Sequence, residues 1–185
     1  MTASTQEPVS ERAFRNALGM FPTGVVVITA VSGGARLGLT VSSFSSVSLE
    51  PPLVLFSVAK RAFSFAALQT VDRYAINILS EDQVVVSNRF ATSASVADKW
   101  EGVPVLAGAT GVPILPNVLA ALECMAYARY DGGDHEIFLG RVVAITSREP
   151  TNPHPLIFFR GRYGKLSAEV GAAAPLNDPL FPHGW

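Results

Sequence analysis

Tyr130-Asp131-Gly132-Gly133-Asp134-His135 reads as a tight turn between two long strands, with an acid and a histidine at its lip. Gly132 and Gly133 supply the positive φ that a two-residue hairpin needs. Before the turn, residues 118–129 form a long apolar run whose only charges are Glu123 and Arg129. After it, residues 137–146 form a second such run. A hairpin of this kind holds Asp134 and His135 rigidly at one end of a sheet. Asp and His are also ordinary turn residues, so two readings stand at this point: a solvent-facing turn, or the lip of a ligand site.

Working outward, Ser10 is placed to cap a helix running to about Phe21, with Phe14, Ala17, Leu18 and Phe21 on one apolar face. Residues 25–31 are apolar and β-branched, a buried strand, and Ser32-Gly33-Gly34 turns the chain into a second strand from about Arg36. The run from Thr40 to Ser48 is unusual, because neither parity of its residues is cleanly apolar as a half-buried strand requires. It is either a plain polar loop or a surface whose small hydroxyls and accessible N–H groups suit an anionic or oxygen-rich ligand. Pro51-Pro52 breaks the pattern, and residues 53–58 form another buried strand. Lys60-Arg61 follows, then a short helix over about 62–69; two cations there either favour a phosphate or form a solvated pair. Residues 74–79 read as a strand, and Ser80 with Gln83 as a capping box for a helix running to about Phe90. Residues 95–100 read as a helical turn, 102–116 as an extended Gly/Pro-rich connector, and 156–159 as a last strand. The count is six or seven strands with short helices between them. Parallel units need a long crossover helix after each strand, and none is present, so an antiparallel barrel with helices at its edge is the economical fold.

The 185 residues suit one domain, with residues 1–9 a disordered lead and 167–185 an extended tail that packs on another subunit. Only 16% of residues are charged, which implies a dense core together with a buried subunit interface. Net charge is close to zero and no basic cluster exceeds Lys60-Arg61, which argues against nucleic acid. No membrane span and no signal segment is expected, and the single cysteine, Cys124, fits a reducing cytoplasmic setting. Dinucleotide-fold, phosphate-loop, zinc-protease and nucleophile-elbow motifs are absent, and His135, His154 and His183 do not stand at metal spacings, so no metal is expected. Enzymatic chemistry would then come from a cofactor.

Four stretches taken in order resemble the short-chain flavin reductase family, the reductase components of two-component flavin-dependent monooxygenases. They are Phe14-Arg15-Asn16-Ala17-Leu18-Gly19 with Phe21-Pro22-Thr23-Gly24-Val25; the serine-rich run into Ser48-Leu49-Glu50-Pro51-Pro52-Leu53; Tyr74-Ala75-Ile76-Asn77-Ile78-Leu79 with Gln83, Ser87, Arg89, Phe90 and Ala91; and Gly133-Asp134-His135 with residues 155–161 and Tyr163. The resemblance covers about residues 12–166 and implies a mainly β, FMN-binding-like antiparallel split β-barrel with peripheral α-helices, over 10–166, that dimerises. It implies flavin (FMN or FAD) contacts at Thr40, Val41, Ser42, Ser43, Ser48, Ser57, Val58, Ala59, Ser64, Arg89 and Phe90. Lys60 is added for a phosphate on charge alone. It further implies that Gly133, Asp134 and His135, with Tyr163 nearby, position the nicotinamide of NADH or NADPH. The expected activity is hydride transfer from NAD(P)H to flavin, the reduced flavin diffusing to a partner monooxygenase. The rivals are a non-catalytic flavin-binding barrel and an oxidase of the pyridoxamine-phosphate type, which would call for a denser cationic site.

Overall fold

The structure, a computed structural model, describes residues 8–92, 96–147 and 154–166. The expected tail and all but the end of the expected lead lie outside these residues, as does Ser95. In chain order the elements are α1 (Glu11–Leu18), β1 (Thr23–Gly24), β2 (Val26–Ser32), β3 (Ala35–Val41), β4 (Ser45–Leu49), β5 (Pro52–Ala59), α2 (Phe65–Leu68) and β6 (Arg73–Ile78). A 3-10 turn (Glu81–Gln83) leads into α3 (Val84–Ala91), followed by α4 (Val96–Trp100), β7 (Leu106–Ala107), β8 (Pro113–Ile114), β9 (Ala120–Gly132), β10 (His135–Ser147), β11 (Ile157–Phe159) and β12 (Arg162–Gly164).

Seven strands form one antiparallel sheet in the order β3-β2-β6-β9-β10-β5-β4. Two smaller sheets, β1-β11-β12 and β7-β8, lie outside it. The large sheet curls without closing, a split barrel: beyond β3, the Ser43 hydroxyl accepts from Ser57 N–H at 2.9 Å and donates to Ser57 O at 3.0 Å, tying the chain after β3 to β5. Both faces of β2 and β6 are covered. Val27, Ala75, Leu79, Phe90 and Leu156 belong to one cluster, and Val26, Ile28, Phe56, Tyr74, Ile76 and Phe138 to the other. That is why residues 25–30 show no apolar/polar alternation: successive side chains point to opposite faces, and both are buried there, whereas Val31 is exposed.

The turns follow local chemistry. Gly33 and Gly34, both at positive φ (55° and 82°), join β2 to β3. In the β9–β10 hairpin the outcome differs from the sequence reading. Gly132 pairs with His135 as a strand residue, so the loop is Gly133-Asp134, and only Gly133 takes positive φ, at 79°. A glycine at the first loop position alone is the pattern of a type II′ turn. The capping box forms as read, with Ser80 N–H donating to Gln83 Oε1 at 3.1 Å, although the first turn is 3-10.

Other expectations need correction. The helix capped by Ser10 ends at Leu18 rather than near Phe21, and its apolar side is bare: Phe14, Leu18 and Phe21 are all exposed. The helix after Lys60-Arg61 is only Phe65–Leu68, so the two cations do not stand at its first turn. The run 40–48 is two strands, because residues 42–44 leave the sheet to make the Ser43–Ser57 bonds. The connector 102–116 carries its own hairpin, β7–β8. It is pinned by buried polar groups: Asn77 Oδ1 accepts from Leu115 N–H at 2.9 Å, and the fully buried Glu123 carboxylate accepts from Ala109 N–H (2.9 Å), Thr110 N–H (2.7 Å) and Thr110 Oγ1 (2.6 Å). A further strand, β12, follows the last one read from sequence. No helix among the described residues is long and apolar enough to cross a membrane.

Candidate functional site

β3, β5 and the start of β10 end side by side, and there the sheet leaves a cavity of about 300 Å³. Its walls bring together Thr40, Val41, Ser42, Ser43, Ser57, Val58, Ala59 and His135, with Leu39 and Ala62 beside them. The β5–β10 register explains the meeting, since His135 pairs with Ala59 and Ile137 with Ser57. A second cavity of about 180 Å³ shares Thr40, Val41 and Ser42 and adds Val25, Ser87, Ala91, Phe158 and Tyr163. Thr40–Ser42 is therefore the partition between two chambers, with His135 on one side and Tyr163 on the other.

The lip is fastened by charge. Asp134 Oδ1 lies 2.7 Å from His135 Nδ1, and this hydrogen bond, with the nearby ring and Arg61, holds the Asp134 carboxyl below the usual carboxylate range. A carboxylate has no proton to give, so Nδ1 is the donor and Nε2 is the open ring nitrogen. Lys60 N–H donates to Asp134 O at 2.9 Å, and the Lys60 ammonium pairs with the Asp131 carboxylate. That pairing lowers the Asp131 pKa. Lys60, expected as a phosphate contact, is thus engaged across the turn and lines neither cavity.

The remaining expected contacts scatter. Ser48 lies on β4 and accepts from Glu50 N–H at 3.2 Å. Ser64 is buried just before α2. The Arg89 guanidinium donates to Glu101 O at 2.5 Å. Phe90 is fully buried against Trp100, with ring centroids 4.8 Å apart, so its side chain belongs to the core. Gly133 serves the turn. Tyr163 stands in the second chamber, its hydroxyl 2.9 Å from Ser87 Oγ and donating to Asn88 Oδ1 at 3.0 Å. Ser87, Ala91, Leu39 and Ala62 were not read as contacts. The signal available for Ser87 and Ala91 was their place, with Arg89 and Phe90, in the third of the stretches that resemble the flavin reductase family.

The groove thus combines two adjoining chambers, a partition carrying hydroxyls and a histidine at one lip. Comparison with known proteins narrows this. Residues 18–167 match the model of the flavin reductase like domain. The FMN reductase (NADH) SmoA of Agrobacterium fabrum is 42% identical over 162 residues, 86% of this chain and 88% of that protein. Nitrilotriacetate monooxygenase component B from Mycobacterium thermoresistibile superposes with a TM-score of 0.86 at 38% identity, over 92% of this chain and 94% of that one. The NADH:FAD oxidoreductase SgcE6 of Streptomyces globisporus, solved with NAD and FAD fragments, superposes with a TM-score of 0.80 at 35% identity, over 90% of this chain and all of that one (100%). The chain belongs to the flavin reductase family, and it is an oxidoreductase.

Proposed function

We propose that this chain is an NADH-dependent flavin reductase that binds FMN or FAD against the Thr40–Ser43 and Ser57–Ala59 walls. Reduced flavin then leaves for a partner monooxygenase. The observation that carries this reading is the convergence of β3, β5 and the β10 start on one cavity that has His135 at its lip. The walls suit the ring: Leu39, Val41, Val58 and Ala62 offer apolar contact, and the Thr40 and Ser42 hydroxyls offer polar contact at its edge.

Flavin, when bound, supplies the hydride-accepting chemistry. The chain supplies position. Asp134 fixes the His135 ring, and His135 orients the nicotinamide at the lip rather than moving a proton. The Ser43–Ser57 bonds keep the two walls at a set spacing, so that orientation is built in before ligand arrives. Among the described residues no group of His, Cys, Asp or Glu gathers as metal ligands.

The working unit of this proposal is a homodimer in the cytoplasm. β9 and β10 are central strands of the sheet, yet Tyr127, Val143 and Ile145 on them are exposed. The strand register slips at two places in this pair, beside Tyr127 and at Val143. Bulges of this kind turn side chains outward together. A second copy is the cover we assign to this apolar surface.

The test is anaerobic NADH oxidation by the purified protein, with and without FMN or FAD. Flavin-dependent NADH consumption with bleaching of the flavin is expected. Tight flavin binding without reduction by NADH or NADPH would leave a binding barrel and return His135 to the role of a turn residue.

A further inference from the structure

The hydroxyl of Thr40 has a fixed direction. Its single proton goes to the backbone carbonyl of Ser87, at 2.7 Å. Toward the chambers it therefore presents lone pairs only: an acceptor, not a donor. Ser87 is fully buried in α3. The Tyr163 hydroxyl spends its one proton on Asn88 Oδ1 at 3.0 Å, so the 2.9 Å contact between Ser87 and Tyr163 has Ser87 Oγ as donor. Every proton in the set Thr40, Ser87 and Tyr163 is thereby assigned.

The neighbouring hydroxyl at Ser43 is consumed by Ser57. Thr40 is the acceptor-only hydroxyl of the partition, and the residue lines both chambers. A group that meets it must bring an N–H or O–H. On the oxidised isoalloxazine ring, the imide N–H between the two carbonyls is the single ring donor. The remaining donors of the reactants, the ribityl and ribose hydroxyls, the adenine amines and the nicotinamide carboxamide, all lie outside that ring.

We infer that Thr40 is a specificity-determining residue that accepts the imide N–H of the flavin ring, and that Ser87 is the positioning residue that holds Thr40 to that role. The inference rests on the flavin reductase reading and adds a directed contact to it. Thr40 then rejects a flavin whose imide nitrogen carries a substituent, whatever the length of the flavin's phosphate tail.

The experiment is equilibrium binding of riboflavin and N3-methylriboflavin, followed by quenching of flavin fluorescence, which needs no turnover. The wild type is expected to bind riboflavin at least about fivefold more tightly, the order of one hydrogen bond. Thr40→Ala should weaken riboflavin by a similar factor and bind the methylated ring as well as riboflavin or better, since the smaller side chain makes room. Thr40→Ser, which keeps the hydroxyl and its bond to Ser87, should retain the wild-type preference and shows that the site still folds. Equal binding of the two flavins by the wild type overturns the inference alone. So does an equal loss of both in Thr40→Ala. Failure to bind either flavin, together with no flavin-dependent NADH oxidation, overturns the underlying reading.

Discussion

The Asp134 carboxylate holds Nδ1 of His135 at 2.7 Å, so the imidazole is anchored from its outer side and turns its other nitrogen free at the lip of the cavity. In the proposed reductase this makes His135 a binding group for the nicotinamide. His135→Ala should raise KM for NADH about tenfold and leave the Kd for flavin within about twofold. Asp134→Asn should give a smaller change of the same kind, since the amide still reaches the ring without the charge. Steady-state kinetics alongside flavin titration separate these effects, and an equal loss of NADH and flavin affinity would remove His135 from the nicotinamide.

Glu123 gives a stability prediction with a defined sign. Burial pushes its carboxyl up, but the hydrogen bonds from the Thr110 hydroxyl, Thr110 N–H and Ala109 N–H outweigh burial and bring it below the ordinary Glu value. A carboxyl that is more acidic folded than unfolded contributes its full share above the unfolded-state pKa. It loses that share as pH falls through the folded-state value. Glu123→Gln should cost about 2–3 kcal/mol at neutral pH, the order of charged hydrogen bonds left unmade. Urea unfolding at descending pH should show the gap between wild type and variant closing in acid; a gap independent of pH would mean that packing, not charge, is lost.

Gly140 lies under Tyr74. A Cβ at Gly140 would stand 2.3 Å from the Tyr74 hydroxyl and 3.0 Å from Cys124 Cβ, and Tyr74 is almost wholly buried. Gly140→Ala should therefore lower stability by about 1–3 kcal/mol, the range for overpacking. Adding Tyr74→Phe removes the closest atom and should recover part of the loss. A thermal-melting cycle over the four proteins measures this, and simple additivity would count against the clash.

Ile145 and Val143 address the proposed dimer. Ile145→Asp together with Val143→Asp places two charges on the outward side of β10, where the native side chains are exposed. Sedimentation should show the wild type as a dimer and the double variant shifted to monomer, with the circular dichroism of the sheet retained. An unchanged dimer would move the interface elsewhere, α1 being the next apolar surface.

The features legible in the sequence were those fixed by neighbours along the chain. The turn at Gly33-Gly34, the hairpin ending at His135 and the Ser80/Gln83 capping box depend on a few adjacent residues, and all three formed. The outcomes that diverged depend on distant partners. Glu123 was visible only as a charge in an apolar run; that it caps residues 109–110 requires knowing that the connector folds back over β9. The Lys60–Asp131 pair is likewise invisible in the sequence, since the two residues are remote along the chain. Phe90 matched a family pattern, but Gly38 opens a space in β3 that Phe90 fills; a Cβ there would lie 2.3 Å from its ring. The serine-rich run gave a usable signal, since a stretch with no buried parity is one that leaves the sheet, and Ser43 does so to reach Ser57.

The pairing of β5 with β10 joins residues 53–59 to 135–141 and builds the wall of the groove from opposite halves of the chain. Contacts so far apart in sequence close slowly, whereas the β2–β3 and β9–β10 hairpins close locally. A nascent chain can thus hold both hairpins and still have no place for a ligand. Only the completed sheet brings those walls together, so by mass action any ligand of the groove stabilises finished over half-folded molecules.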